Sequence, residues 1–197
     1  VSGAMDEFSH RVANILVGNA DDAATLEITL QGPRLQFDDD TLIALCGGEL
    51  SPQVGGQAVP QGRPVRVPAG AVLEFGACTA GCRAYLAVRG GFAGPPVMGS
   101  RSTYDTARLG GLQGRALRQD DVLAVGAAAG AGGPALDRAP GRSGNAIAFP
   151  KWALNQHIEQ LGRAPQIVRI LPGRAREDFP APARATLLGE TFRIGAD

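Results

Sequence analysis

The feature that most constrains the fold of this chain is a succession of short apolar segments separated by glycine, proline and aspartate. Apolar and polar side chains alternate over residues 25–30, which is typical of a half-buried β-strand. Residues 41–46 form a continuous apolar run, which indicates a strand buried on both faces. Further strands are predicted at residues 35–37, 65–67, 72–75, 83–88 and 122–125. Many short strands with frequent turns predict a mainly β domain that forms a closed or nearly closed barrel.

Two helices are expected beside the strands. Residues 3–17 place a stripe of apolar side chains at helical spacing, namely Met5, Phe8, Val12, Ile15 and Leu16. Ser2 is the candidate N-cap, Asp6 lies in the first turn, and Gly18 followed by Asn19 is a stop signal. A second, weaker helical pattern covers residues 152–161 and ends at Gly162.

A stretch rich in glycine, alanine and proline divides the chain at residues 126–144, where we predict a linker or loop. Residues 1–125 then form the barrel lobe with its N-terminal helix. Residues 145–197 are expected to begin a second, incomplete lobe, with strands near 166–171 and 191–194. Because the chain starts almost at a helix and stops in a predicted strand, we expect it to be a fragment or to lack its ends.

The charge balance and the cysteine content exclude several classes of function. The formal net charge is zero and aromatic residues make up 5% of the chain, so neither nucleic acid nor an anionic membrane is an expected partner. No apolar run reaches the roughly 18–20 residues that span a bilayer, and no secretory pattern opens the chain. Three cysteines, without the further Cys or His that zinc would need near Cys78 and Cys82, indicate reduced thiols in a cytoplasmic protein.

The densest polar cluster lies at residues 99–104 (GSRSTY), where three serine or threonine hydroxyl groups and the Arg101 guanidinium follow a glycine. Such a loop can offer hydroxyl and backbone N–H donors, together with a cation, to a carboxylate, carbonate or phosphate. The alternative is a polar turn in which Arg101 forms a structural ion pair.

A second cluster, residues 110–115 (GGLQGR), combines three glycines with Arg115. It lacks the Gly-Lys-Ser/Thr ending of a nucleotide phosphate loop and the spacing of a dinucleotide-binding turn. Either a turn of the barrel or the rim of an active site would explain it.

Metal and histidine-based chemistry find little support. Neither His10 nor His157 lies in a polar loop, which excludes a serine–histidine–aspartate triad and a histidine metal centre there. The acidic residues 38–40 are interpreted as a solvated turn, so no metal site is predicted. The first helix could bind an anion at its N-terminus, but we favour capping by Ser2 and Asp6.

Several segments together resemble one family. These are VSGAMDEFSHRVANILVGN, LEITLQGP, TLIALCGGELSP, CRAYLAVRGGF, PPVMGSRSTYDTARLGGLQGRALRQDDVL and RILPG. In order and spacing they resemble the biotin-dependent carboxyltransferase-like family that includes the PxpC or KipA component of 5-oxoprolinase and the second subunit of allophanate hydrolase. The resemblance is dense over residues 1–125, weak over 126–164, and returns at 166–173. It implies a cyclophilin-like β-barrel with one or two short helices.

The same resemblance implies an ATP-dependent complex that converts 5-oxo-L-proline to L-glutamate, with a sister subunit of PxpB or KipI type and a PxpA-type subunit. One alternative is the carboxyltransferase component of a urea carboxylase or allophanate-type system. Another is a KipA-like binding protein that antagonises a kinase inhibitor. Lys151, the only lysine, follows proline rather than the methionine of biotin carrier domains, so any biotin would arrive on another protein or domain. Where ATP binds is left open, and a partner is one option.

The resemblance also assigns candidate residues. The proposed catalytic residues are Arg101, Ser102, Thr103 and Arg115, and the proposed substrate-binding residues are Ser2, Asp6, Asn14 and Ser100. In this hypothesis Arg101 and Arg115 clamp a carboxylate or a carboxyphosphate-like species, while the hydroxyls hydrogen-bond the amide or ureido group. No general base is identified. The chain lacks the lead-in segment and the C-terminal third of the family pattern, so part of the site is expected to be missing.

Overall fold

The computed structural model describes residues 3–127, 146–154 and 170–192. Within these residues it contains eight β-strands, two α-helices and short 3-10 helices at Asp105–Ala107 and Arg174–Asp178. The strands are β1 (Leu26–Thr29), β2 (Leu35–Gln36), β3 (Thr41–Glu49), β4 (Gln53–Val54), β5 (Gln57–Ala58), β6 (Pro64–Val67), β7 (Val72–Glu74) and β8 (Ala80–Val88). The helices are α1 (Glu7–Val17) and α2 (Ala181–Gly189).

The strands form two four-stranded sheets in which every pairing is antiparallel. The first sheet has the order β1-β8-β3-β6, and the second has the order β2-β7-β4-β5. The mainly β prediction is therefore confirmed. Closure of the two sheets into a cyclophilin-like barrel stays a prediction, as does the division into lobes.

Strand β3 confirms the expectation of burial on both faces. Ile43 and Leu45 contribute to one core cluster with side chains from both sheets. Ala44 and Cys46 point the other way and join a second cluster, which includes Tyr85 of β8. Because side chains alternate across a strand, one continuous apolar run supplies both cores.

Helix α1 covers the second core cluster, but with a face different from the predicted stripe. Met5, Phe8 and Ile15 are exposed, whereas the buried residues of the helix are Ser9, Ala13, Asn14, Leu16 and Val17. The predicted stripe is confirmed at Val12 and Leu16, which pack in or against the second core cluster, and wrong at the three exposed residues. It also omits Ala13 and Asn14, which are fully buried where the helix contacts β3 and β8. The predicted stop at Gly18 is confirmed, since this residue adopts φ 78° and donates to the last turn.

Six of the eight strands coincide with predicted segments, and the short β4–β5 hairpin does not. Gly55 and Gly56 form its turn with φ of 56° and 79°. Conversely, the strand predicted at residues 122–125 is reduced to a single bridge between Phe92 and Val125.

The later predictions fall largely outside the described residues. Ala148 pairs with Arg66 at the outer edge of β6, and Ile147 is buried in the first core cluster. Residues 152–154 are not helical, and 155–161 lie outside the described part. Residues 170–171 and 191–192 are not strands, and the rest of those two predicted strands is not described. Helix α2, which the sequence does not predict, contains no buried residue.

Candidate functional site

The two polar motifs lie on one long excursion of the chain, residues 94–123, which we call the excursion loop. Its ends meet at the sheet: Ala93 N–H donates to Ala124 O at 2.8 Å, and Gly126 N–H donates to Gly91 O at 2.9 Å. The bridge between Phe92 and Val125 lies beside these bonds. The excursion loop therefore projects from a fixed base, an arrangement by which folded scaffolds present functional groups.

Within the excursion loop, the GSRSTY and GGLQGR motifs pack directly against each other. A methyl group added to Gly110 would lie 2.1 Å from Ser102 O, and one added to Gly111 would lie 1.9 Å from Thr103 Oγ1. Both glycines also have positive φ, 70° and 49°. These positions require glycine because the second motif supports the first at backbone contact distance.

Arg101 keeps most of its guanidinium available. Its Nε donates to Gly94 O at 3.1 Å, and its terminal nitrogens have no hydrogen bond or ion pair among the described residues. The side chain is exposed. The Nε bond ties the stem of the side chain to the base of the excursion loop, leaving a planar pair of donors for an anion.

The hydroxyl residues beside Arg101 are accessible to different degrees. Ser100 Oγ accepts from Ser102 N–H at 3.1 Å, so its own proton can be donated elsewhere. Thr103 is exposed, whereas Ser100 and Ser102 are half-buried. Met98 and Gly99, with φ of 51° and 79°, form the tight turn that places Ser100 opposite Val97.

The guanidinium of Arg115, in contrast, already donates all its hydrogen bonds to acceptors within the chain. Its two terminal nitrogens donate to the two carboxylate oxygens of Asp121 at 2.7 and 2.8 Å. The remaining donors reach Gln113 Oε1 and Ala116 O. All five guanidinium N–H groups therefore have acceptors, and the hypothesis that Arg115 clamps a substrate finds no available donor.

The Arg115–Asp121 pair carries a clear electrostatic signature. The hydrogen bonds from Arg115, followed by the Arg118 N–H, lower the pKa of Asp121 to about 2. The same pairing raises the pKa of Arg115. Sequence reasoning missed Asp121, because nothing in the spacing of the two residues distinguishes this pairing from solvated charges. We infer that the Arg115–Asp121 ion pair has a structural role and stabilises the excursion loop.

At the start of α1, a polar side chain caps the helix as predicted, but the N-cap is Asp6 and not Ser2. Its carboxylate accepts from Ser9 N–H at 3.0 Å and from Ser9 Oγ–H at 2.6 Å. Helix α1 begins at Glu7, so Asp6 is the N-cap. Ser2 lies outside the described residues. Both Asp6 oxygens are therefore used by the helix itself.

The N–H groups that precede α1 are held by two residues that sequence reasoning missed. Met5 N–H donates to Glu27 Oε2 at 3.0 Å, and Asp6 N–H donates to Tyr85 Oη at 2.8 Å. Tyr85 in turn donates to Glu27 at 2.8 Å, and Arg83 Nε donates to Glu27 Oε1 at 3.1 Å. This end of the helix already binds an anion supplied by the chain.

Burial raises the pKa of Tyr85 to about 12, and the Glu27 carboxylate adds to the effect. Glu27 and Tyr85 are direct register partners on the antiparallel strands β1 and β8. Only that pairing, which the sequence alone does not give, could have identified them. His10, on the same helix, is half-buried, packs edge-on against Tyr85 and forms a hydrogen bond with Thr25 Oγ1 through Nδ1.

Asn14 lies at the other end of α1 and is fully buried. Its amide donates to Ala23 O at 2.7 Å and accepts from Asn19, which also bonds Val88 O and Gly90 N–H. Asn14 thus fastens the helix to the chain just before the excursion loop. Eight residues of helix separate it from Asp6, about 12 Å, so the two do not share one small site.

The structure therefore brings Ser100, Arg101, Ser102 and Thr103 together on one exposed loop and assigns structural contacts to Asp6, Asn14 and Arg115. Among the described residues, no cluster of three His, Cys, Asp or Glu side chains could hold a metal ion. A shallow cleft of about 330 Å³ lies elsewhere, between the second sheet and residues 32–34, with Arg34 paired to Glu74 inside it. No helix in the described ranges is both long and apolar enough to cross a bilayer.

Comparison with known proteins gives a consistent set of relatives. A family model described as the carboxyltransferase domain, subdomain A and B, matches residues 1–197. The putative urea carboxylase of Emericella nidulans is 44% identical over 191 residues, which cover 95% of this chain and 14% of that protein. The C subunit of the Escherichia coli 5-oxoprolinase is 42% identical over 124 residues, which cover 63% of this chain and 40% of that relative.

A solved structure, that of TTHA0988, superposes with a TM-score of 0.72 at 31% identity, covering 94% of this chain and 33% of its own. The chain spans less than half the length of each of these relatives.

Proposed function

Because the chain belongs to the family of carboxyltransferase domains, subdomains A and B, we propose that it serves an ATP-dependent 5-oxoprolinase that opens 5-oxo-L-proline to L-glutamate. Two of its relatives are named as the C subunit of a 5-oxoprolinase. Since that name denotes one subunit of several, the proposal includes a sister subunit of PxpB or KipI type and a PxpA-type subunit. We place the complex in the cytoplasm.

The observation that carries the proposal is the available guanidinium of Arg101 among three hydroxyl residues. 5-Oxoproline has a carboxylate and a ring amide, and Arg101 supplies the planar pair of donors that a carboxylate accepts. Urea has no carboxylate, so in a urea-specific site the Arg101 guanidinium would bind the carboxyl group that is being transferred.

The residues around Arg101 supply the remaining contacts in this proposal. The Ser100 and Thr103 hydroxyl groups donate hydrogen bonds to the ring carbonyl oxygen. This oxygen gains negative charge when the carbonyl carbon is attacked, so the hydrogen bonds strengthen at that point. Ser102 keeps the loop in shape through its N–H bond to Ser100 Oγ. Gly110 and Gly111 fix the backbone behind these groups, so the donors are oriented before substrate arrives.

Among the described residues of this chain, we assign neither an attachment site for biotin nor a binding site for ATP. Lys151, the single lysine, is exposed beside Pro150 at the edge of β6, outside the excursion loop. It does not sit in a biotin carrier context, and its backbone carbonyl is contacted by Arg63, next to β6. ATP supplies the driving force for ring opening when bound, and we assign its site to a partner.

The experiment is steady-state kinetics of 5-oxoproline turnover by the assembled complex. Arg101→Ala should lower kcat/KM by about 10- to 100-fold, the range expected for losing a charge-assisted hydrogen bond, and Arg101→Lys should recover part of it. Arg34→Ala is the matched control, because Arg34 is an exposed, ion-paired arginine on the second sheet. Equal kinetics for Arg101→Ala and Arg34→Ala would refute the role of Arg101.

A second candidate is carboxyl transfer to urea. It is favoured by the extent of the match to the Emericella nidulans putative urea carboxylase, which runs over 191 residues, whereas the match to the Escherichia coli relative runs over 124. In that reaction Arg101 would bind the carboxyl group in transit, and biotin would be carried by another domain. Urea-dependent ATP consumption with a biotinylated partner, and none with 5-oxoproline, would select this candidate.

A further inference from the structure

Two cysteines outside the excursion loop lie close together at the start of β8. Cys78 is half-buried against the first core cluster, and Cys82 is exposed. Between them the chain turns at Gly81, whose φ is 75°. The third cysteine, Cys46, is fully buried in the second core cluster.

The turn brings the Cys78 thiol back towards Cys82. Cys78 Sγ lies 3.4 Å from Gly81 O and 3.8 Å from Ala80 O. A carbonyl oxygen lies about 2.8 Å from the Cα atom of the next residue, so Cys78 Sγ is within about 6 Å of the Cys82 Cα atom. In a disulfide the corresponding distance is about 4 Å. To reach the disulfide distance, Cys78 Sγ has to come about 2 Å closer to the Cys82 Cα atom, with the Cys82 side chain turned towards it.

The surroundings of the pair suit thiol–disulfide exchange. Cys82 is accessible, and Arg83, whose Nε is ion-paired with Glu27, donates from Nη1 to the Cys82 Sγ at 3.6 Å. Cys78 is the less exposed of the two, which keeps it from competing for an incoming oxidant. Residues 75–79 lie between β7 and β8 and outside both strands, so Cys78 can approach Cys82 by a change within this connection. The hydrogen bonds that such a change would have to accommodate include those from Thr79 N–H to Glu49 O and from Ser51 Oγ to Ala77 O.

We propose that Cys78 and Cys82 form a redox-active dithiol, which closes to an intramolecular disulfide by exchange with a small-molecule disulfide. The Cys82 thiolate attacks the oxidant RSSR, forming a mixed disulfide and releasing RS⁻. The Cys78 thiolate then attacks Cys82 Sγ and releases the second RS⁻. The protein loses two protons and two electrons, and the oxidant is reduced to two thiols. This dithiol is independent of the proposed function.

The test is to incubate the purified chain with oxidised glutathione and then alkylate the remaining thiols in denaturant. Thiols that react should fall from the three in the sequence to one. Cys78 and Cys82 share the tryptic peptide 67–83, which should become about 2 Da lighter and resist alkylation without carrying glutathione. Reduction should restore both sites.

Matched variants separate the roles of the two thiols. Cys78→Ser removes the second nucleophile, so Cys82 should retain glutathione, whereas Cys82→Ser should react far more slowly at Cys78. The proposal is overturned if peptide 67–83 of the unaltered chain keeps both alkylatable thiols. It is equally overturned by stable glutathione on Cys82 beside a free Cys78, or by disulfides that link two chains.

Discussion

At the scale of single residues, the clearest result is the contrast between Arg101 and Arg115. The family resemblance assigns both arginines the same clamping role, and each lies in one of the two polar clusters on one stretch of chain. The structure distinguishes them by their donors: Arg115 uses all five N–H groups within the chain, and Arg101 uses one. An arginine whose donors are all satisfied stabilises a loop, whereas one with donors left over can bind a ligand.

Arg115→Ala should therefore act through stability. It leaves Asp121 without its bidentate partner and unfastens the end of the excursion loop, so the midpoint of urea unfolding should fall, and activity should fall with it. Arg101→Ala should leave the unfolding midpoint unchanged. Chemical unfolding of both variants, followed by circular dichroism, measures the difference. An Arg115→Ala protein with unaltered stability and no activity would contradict this structural role and would support substrate binding by Arg115.

His10 gives a pH dependence whose direction is set by burial. Desolvation, and then the charge on Arg11, lower the pKa of His10 from its ordinary value of 6.5, against the opposing effect of Asp21, Asp22 and Glu7. The folded state thus favours the neutral ring, so this contribution to stability is complete above pH 6.5 and is lost as the pH falls below it.

We expect the urea midpoint of the chain to drop between about pH 7.5 and about pH 5.5, and His10→Gln to show a smaller drop. Glutamine retains a group that can bond Thr25 but does not titrate, which makes it the appropriate comparison. The same pH dependence in both proteins would show that His10 is not responsible.

At the scale of secondary-structure elements, local alternation predicts most strands and fails where pairing or contact decides the outcome. The apolar run of β3 is sufficient to predict burial on both faces. The stripe on α1 is misassigned because Ala13 and Asn14, a small and a polar residue, form its contact with the sheet. Burial of Asn14 depends on acceptors and donors at Ala23 and Asn19, and no periodicity reveals these.

The candidate site likewise combines features that local sequence predicts with features that depend on strand pairing or tertiary contact. Its polar loop is predictable, since hydroxyls and an arginine adjacent in sequence remain adjacent in space. The Glu27–Tyr85 pair is not, because it depends on the register between β1 and β8. Arg115 is misinterpreted from sequence because its partner Asp121 is recognisable only once the loop is folded.

The packing of the two motifs can be tested with glycine substitutions at two positions of similar φ. Gly110→Ala places a methyl group 2.1 Å from Ser102 O, whereas Gly70→Ala meets nothing within 4 Å. Their φ values are 70° and 75°, so both incur the same backbone strain, about 1–2 kcal/mol. Gly110→Ala should be the more destabilising and should lower activity, while Gly70→Ala keeps full activity. Equal losses of stability and activity in the two variants would contradict the packing of the motifs.

At the scale of the whole molecule, two apolar cores share β3 and β8, and the excursion loop leaves from the end of this framework. The Asn14–Asn19 contact joins α1 to the chain at Val88 and Gly90, immediately before the loop begins. The framework therefore holds the base of the loop from the helix on one side and from residues 124–126 on the other. Rigidity at the base is what allows an exposed loop to orient a substrate.

The measurement that tests the central claim most directly is glutamate release from 5-oxoproline by the chain combined with its PxpB- or KipI-type and PxpA-type partners. Release is followed with and without ATP, and with this chain left out of an otherwise identical mixture. We predict ATP-dependent glutamate that disappears when the chain is omitted. Glutamate formed equally well without the chain, or none from a complex shown to be assembled, would contradict the proposed function.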